Sequence, residues 1–165
     1  MKPELFYPLL NPRITTQNFG ETRFFDYGLL GHPGIDMVGV YGQPIRCAHD
    51  GTVTSNRLDD GRGWMTEVRH GTEPSFETQY CHMREASRFK VGDKALCGDV
   101  IGYCGLTGRT TGSQLHFELH KDGIPIDPAP YWNGMSAEDY LSISNQIKVL
   151  AGKVASLIKI WVSRK

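Results

Sequence analysis

Along Gly112–His120 apolar and polar residues alternate: Leu115, Phe117 and Leu119 hold one parity, Gln114, His116 and Glu118 the other. A period of two is that of a half-buried strand, so the apolar three enter a core and the polar three share the opposite face. Further strands are predicted over residues 44–57, 64–70 and 76–83, and over Ala95–Cys104 as part of a hairpin. Turn-forming stretches separate them: Leu58-Asp-Asp-Gly-Arg-Gly63, Gly71-Thr-Glu-Pro74, Gly105–Gly112 and Asp122-Gly123. Residues 14–31 read as the start of a strand followed by an aromatic loop, Phe24-Phe-Asp-Tyr27, which either walls a substrate groove or simply packs. Ile124-Pro-Ile-Asp-Pro closes the sheet. After residue 134 the period changes. Ser136-Ala-Glu-Asp139 resembles a capping box, and Ile147, Leu150, Val154, Leu157, Ile158 and Trp161 recur at spacings of three and four. The predicted fold class is mostly β, an antiparallel β-sheet core with a C-terminal amphipathic α-helix, divided into residues 1–133 and a helical extension over 134–165.

Composition narrows the picture without redirecting it. A chain of 165 residues supports one domain with a real core, and its 19 glycines and 9 prolines suit many tight turns between short strands. The formal net charge of zero carries no sign of a nucleic-acid partner. Met1–Leu10 lacks an apolar h-region and a small-residue cleavage site, so no signal peptide is read there. No run of 18 apolar residues predicts a transmembrane span. Cys47, Cys81, Cys97 and Cys104 form no Cys-x-x-Cys pair and read as small buried hydrophobes in a reduced compartment, with a disulfide between neighbouring strands left open. From Gln146 onward the charges are five basic and none acidic. The helix is therefore expected to cover its apolar stripe with its own domain, a second copy or another protein, or an anionic membrane surface.

The candidate chemistry lies in two clusters. His32-Pro-Gly-Ile-Asp36 offers an imidazole and a carboxylate four residues apart, on a bend that Pro33-Gly34 imposes. Together with His116 they make an N/N/O set that leaves one position open for water, the pattern of a catalytic zinc site rather than a closed structural one. Of the remaining histidines, His49, His70 and His120 read as solvated turn or strand-end residues. His82 ends an apolar strand and is either structural or functional. Glu118 either orients a ligand from behind or is a solvated strand glutamate.

His32-x-x-x-Asp36 and Leu115-His116-Phe117-Glu118 resemble the motifs of the lysostaphin-type zinc endopeptidases that cut peptidoglycan cross-links. Ile14-Thr-Thr-Gln-Asn-Phe-Gly-Glu21, Pro44–Val53, Tyr80-Cys-His-Met83 and the glycine-rich Val91–Gly105 segment are similar to further family motifs, in order, over about residues 12–133. The resemblance implies the lysostaphin-type (duplicated hybrid motif-like) β fold over 1–133, a Zn²⁺ cofactor held by His32, Asp36 and His116, and a peptidoglycan peptide substrate. It makes His82 a catalytic residue that orients or deprotonates the attacking water, or donates to the developing oxyanion. One departure stands out. Gln114 replaces the first histidine of the family's His-x-His, and an amide can donate a hydrogen bond or hold a water but cannot take a proton. The implied function is zinc-dependent endopeptidase action on peptidoglycan cross-links or stem peptides, with a hydrolysis-attenuated structural or wall-binding component on the same scaffold as the alternative. Without an export signal, such a protein is expected to be made in the cytoplasm and to reach the wall after lysis or in a phage-like particle.

Overall fold

The computed structural model describes residues 3–10, 15–22, 31–71 and 75–163, with side chains described as far as residue 159. The aromatic stretch Phe24–Tyr27, most of the turn at 71–74 and the side chain of Trp161 lie outside the described residues. The strands are β1 (Leu5–Tyr7), β2 (Thr15–Gln17), β3 (Ile35–Val38), β4 (Pro44–Arg46), β5 (Gly51–Asp59), β6 (Gly63–His70), β7 (Phe76–Met83), β8 (Lys94–Ala95), β9 (Val100–Tyr103), β10 (Gln114–Lys121), β11 (Ile124–Ile126) and β12 (Trp132–Ser136). A single helix, α1 (Ala137–Ser163), follows.

The main sheet is antiparallel and ordered β2-β3-β10-β7-β6-β5-β8, with β11 also pairing β10. β10 is its axis. One edge pairs with β7, while the other is shared by β3 against its first half and β11 against its second. The β10–β11 hairpin turns through Asp122 and Gly123, both at positive φ (51° and 79°), as a two-residue Asp-Gly connection requires. Small sheets β4-β9 and β1-β12 flank the main one. Leu115, Phe117 and Leu119 are fully buried and join Ile35, Met37, Val68, Tyr80 and Ile101 in one core cluster, as their alternation predicted.

Two predicted strands are each split in two. The 44–57 stretch becomes β4 on a small sheet and β5 on the main one, and Ala95–Cys104 divides in the same way into β8 and β9. Acidic side chains mark both crossings. Asp50 Oδ1 accepts the Cys97 N–H at 2.7 Å and Asp99 Oδ2 accepts the Leu96 N–H at 2.9 Å, bonds that compete with a continuous ladder. All four cysteines are buried free thiols.

His70 is a correction to the sequence reading, which placed it in solvent. It is 3% exposed, its Nδ1–H donates to the Asp50 carbonyl at 2.9 Å, and its Nε2 lies 2.8 Å from Thr78 Oγ1. Burial, the dominant influence, pushes its pKa down to about 4, against an ordinary value near 6.5. The unfolded chain therefore binds a proton between pH 6.5 and 4 that the folded chain refuses, so stability falls as pH drops through that window. The full effect is on the order of 3 kcal/mol, at about 1.4 kcal/mol per pKa unit. Denaturant unfolding at pH 7 and pH 4.5 should show much of this loss, and an NMR titration should find the His70 ring neutral well below pH 6. His49, also expected in solvent, is half-buried, donating to the same Asp50 carbonyl and meeting the His70 ring edge-on at 5.3 Å.

Helix α1 begins as its capping box predicts. Ser136 Oγ accepts the Asp139 N–H at 3.0 Å and donates to Asp139 Oδ2. Its first turn is anchored by buried Ala137, by Tyr140 against the Phe6 ring (4.3 Å between centroids) and by Glu138 facing Arg46. From Ile143 onward Ile147, Leu150, Val154, Leu157 and Ile158 are exposed. The division expected between residues 133 and 134 falls inside β12, which pairs with β1 and stacks Trp132 on Tyr7. No helix among the described residues is long and apolar enough to cross a membrane.

Candidate metal centre

The register of β3 on β10 sets Asp36 directly opposite His116. His32 stands just before β3, its backbone tied in two places: its N–H donates to the Glu21 carbonyl, and its own carbonyl accepts the Gly20 N–H. The bend between the two residues runs hard against β10. A Cβ on Gly34 would lie 2.3 Å from the Phe117 carbonyl oxygen, so only glycine fits there. His32 Nδ1 lies 3.1 Å from the Asn18 carbonyl, which fixes its proton on Nδ1 and turns the Nε2 lone pair inward.

The three predicted ligands converge. His32 Nε2 lies 3.0 Å from His116 Nδ1, His116 Nδ1 lies 2.7 Å from Asp36 Oδ1, and His32 Nε2 lies 3.3 Å from that same oxygen. All three residues are buried, and they form one group able to offer a donor atom each to a single ion. Zinc bonds of about 2.0–2.1 Å to N and O imply donor separations of roughly 3.3 Å in a tetrahedron, and the observed separations run from 2.7 to 3.3 Å. Two neutral-capable imidazoles and a carboxylate are also the donor types that zinc selects. The residues fit the ion.

The electrostatics of the cluster are self-consistent. Burial alone would raise the Asp36 carboxyl, yet hydrogen bonds with His116 and His32 hold it well below the usual carboxylate range. Burial opposes a charged His116 ring, but its bonds to Asp36 and Glu118 overcome this and lift it to about 9. Metal binding at this cluster must therefore compete with a proton on His116.

Glu118 is fully buried, which rules out the solvated reading left open for it. His116 Nε2 donates to its Oε1 at 3.0 Å, Arg62 Nε donates to the same oxygen at 2.6 Å, and His120 Nε2 bonds its Oε2 at 2.7 Å. These bonds hold the carboxylate ionised against the cost of burial. His120, expected in solvent, is half-buried on this account. Arg62, in the turn between β5 and β6, reaches the polar face of β10 at Glu118, a tertiary fact that alternation along one strand does not carry.

His82 adopts φ 57°, a left-handed conformation that costs a non-glycine residue about 1–2 kcal/mol. Its N–H donates to the Arg62 carbonyl and its Nδ1–H to the Thr107 carbonyl, both at 2.8 Å, which leaves the lone pair on Nε2. The ring meets His116 edge-on, 5.9 Å between centroids. Burial, with the neighbouring His116 ring adding to it, lowers its pKa below the ordinary histidine value against the opposing bond to Thr107. Gln114, half-buried at the start of β10, is two residues from His116 on the same face, opposite Val38. Sequence reasoning missed Arg62 and Thr107. Asp59-Asp-Gly-Arg-Gly63 signalled only a turn, and nothing local tied Arg62 to a carboxylate 56 positions away.

Residues 30–128, which include all three donors, His82 and Gln114, match the model of peptidase family M23. The chain belongs to that family. It is 36% identical over 97 residues to the DD-carboxypeptidase/endopeptidase Mpg of Neisseria meningitidis, covering 59% of this chain and 22% of Mpg. It is 32% identical over 130 residues to the peptidoglycan DD-endopeptidase ShyC of Vibrio cholerae, covering 78% of this chain and 29% of ShyC. The chain thus spans less than a third of the length of these family members. A zinc-containing peptidase from Vibrio cholerae has the same fold, with a TM-score of 0.67 at 28% identity over 76% of this chain and 39% of that one. The mostly antiparallel β fold with a C-terminal helix, expected for the lysostaphin-type family, is the fold observed.

Proposed function

We propose that the protein is a zinc-dependent endopeptidase that hydrolyses peptide bonds in peptidoglycan cross-links or stem peptides. The observation that carries this reading is the convergence of His32, Asp36 and His116 on one point, with the His82 ring beside them and held by Nδ1 on the Thr107 carbonyl. Family membership and the names of Mpg and ShyC support the substrate class. Zinc held by these three residues would polarise the scissile carbonyl and bring the pKa of water at its open position toward about 7. His82 Nε2 then accepts a proton from the attacking water, or, once protonated, donates to the oxyanion or the leaving amine. Thr107 keeps the ring in the tautomer this needs. Asp36 balances charge, and Glu118 fixes the His116 ring from behind.

Gln114 favours one second reading, a protein whose hydrolysis is attenuated and whose scaffold serves binding. A side-chain amide contributes a hydrogen bond at the place where the resembling enzymes put a proton-transfer group, and loss of such a group typically costs about 10²–10⁴ in rate. The two readings separate on Gln114→His assayed on purified sacculi. The enzyme reading expects measurable release of muropeptides by wild type and an equal or greater rate for the variant. No release by either folded, zinc-loaded form, from Gram-positive or Gram-negative walls, would establish the binding scaffold.

A further inference from the structure

The metal donors and His82 lie on different strands, yet both are tied to one residue of the turn joining β5 to β6. Asp59 Oδ1 shapes that turn by accepting the N–H groups of Gly61 and Arg62, each at 2.9 Å. The turn packs directly onto the 105–112 loop. Gly63 sits at φ 66°, and a Cβ there would come within 2.3 Å of Thr107, so the approach requires glycine. Thr107 Oγ1 accepts the Trp64 N–H and donates to the Met83 carbonyl, and the Thr107 carbonyl receives the His82 Nδ1–H. Arg62 stands at the centre of this junction. Its carbonyl accepts the His82 N–H, holding that residue in its left-handed conformation, and its Nε donates to Glu118, the carboxylate that accepts the His116 Nε2–H.

We infer that Arg62 and Glu118 are a positioning pair for the metal centre, and that Arg62 couples that centre to the backbone of His82. This rests on the proposed zinc site. Glu118 is wholly buried and receives three side-chain donors, whereas the Arg62 side chain is 37% exposed and anchored on one side. Glu118 fixes the His116 ring with Nδ1 toward Asp36 and His32, and its negative charge strengthens that ring as a donor. Arg62 holds Glu118 in place through its 2.6 Å bond to Oε1. Without it the carboxylate retains His116 and His120 but loses its one permanent cation, because a guanidinium stays charged at every accessible pH. Neither residue touches the reacting atoms; both act through His116 and His82.

The test compares wild type with Arg62→Met, Arg62→Lys and Glu118→Gln. Zinc dissociation constants are measured by chelator competition, the ligand field by cobalt substitution, and Tm on the metal-free proteins. Outer hydrogen bonds to a ligating histidine typically contribute about 10–100-fold in metal affinity. Glu118→Gln should weaken zinc binding by that amount and shift the cobalt spectrum, Arg62→Met should weaken it about tenfold, and Arg62→Lys should recover much of the loss. Metal-free Tm should change by only a few degrees. If wild type binds zinc and the folded variants bind it within twofold with unchanged spectra, the pair is structural only and the inference is wrong. An affinity loss fully matched by loss of metal-free stability would also overturn it. If wild type itself binds no zinc, the proposed site fails instead. Should Arg62→Met not fold, Arg62→Lys and Glu118→Gln decide the matter in the same way.

Discussion

Asp36→Asn is expected to remove zinc from the protein and hydrolysis with it, while leaving the sheet folded. Asp36 supplies the only negative charge among the three converging donors, and it is held ionised despite being almost wholly buried. An amide of the same shape keeps a carbonyl oxygen near His116 Nδ1 but cannot neutralise a divalent ion at a buried site. Losing an outer-shell partner typically costs up to about 100-fold in metal affinity, and loss of a direct ligand should exceed that. Metal analysis after gel filtration should fall from about one equivalent in wild type to near none. Circular dichroism should be unchanged, because the β3–β10 pairing at this position is made by backbone. A variant that retained a full equivalent of zinc would remove Asp36 from the ligand set.

The second large effect is expected at His82. His82→Ala should lower the hydrolytic rate by about 10²–10⁴, the usual worth of a positioned acid or base, and leave the zinc content at one equivalent. Gln114 cannot take over, since an amide cannot take a proton at ordinary pH. The backbone sharpens the test. His82 sits at φ 57°, so alanine inherits the strain that glycine relieves, and His82→Gly should be about 1 kcal/mol more stable than His82→Ala while equally inactive. That combination separates a residue kept in a costly conformation for chemistry from one kept for packing. If His82→Ala keeps its zinc and most of its rate, His82 is not the proton-transfer group.

Much of this site could be read along the chain because its parts are local. Alternation over Gln114–Leu119 placed His116 on the face opposite the core, and β7 covers the span predicted for it, 76–83. The same alternation gave no hint that this second face is covered in turn. The sequence reading therefore put His70 in solvent and left a solvated Glu118 open, while the structure buries both. Arg62 and Thr107 were illegible for a related reason. Each lies in a turn whose composition announces only a change of direction, and each acts through contacts between segments far apart in sequence. The breaks at 47–50 and 96–99 were hidden because the residues around them keep a strand's apolar character, and the interrupting bonds come from Asp50 and Asp99. The exposed stripe of α1 followed its predicted spacing through Ile158, since nothing tertiary overrides periodicity where a helix leaves the domain.

The central claim is that His32, Asp36 and His116 form a zinc site that cuts peptide bonds of the cell wall. Its most direct test is mass spectrometry of fragments released from purified sacculi by zinc-loaded wild type, with chelated wild type and Asp36→Asn run alongside. The account predicts new amino and carboxyl termini at one peptide linkage, produced by loaded wild type and absent from both controls. Intact sacculi after prolonged digestion by protein holding a full equivalent of zinc, or the same fragments from the chelated sample, would contradict it.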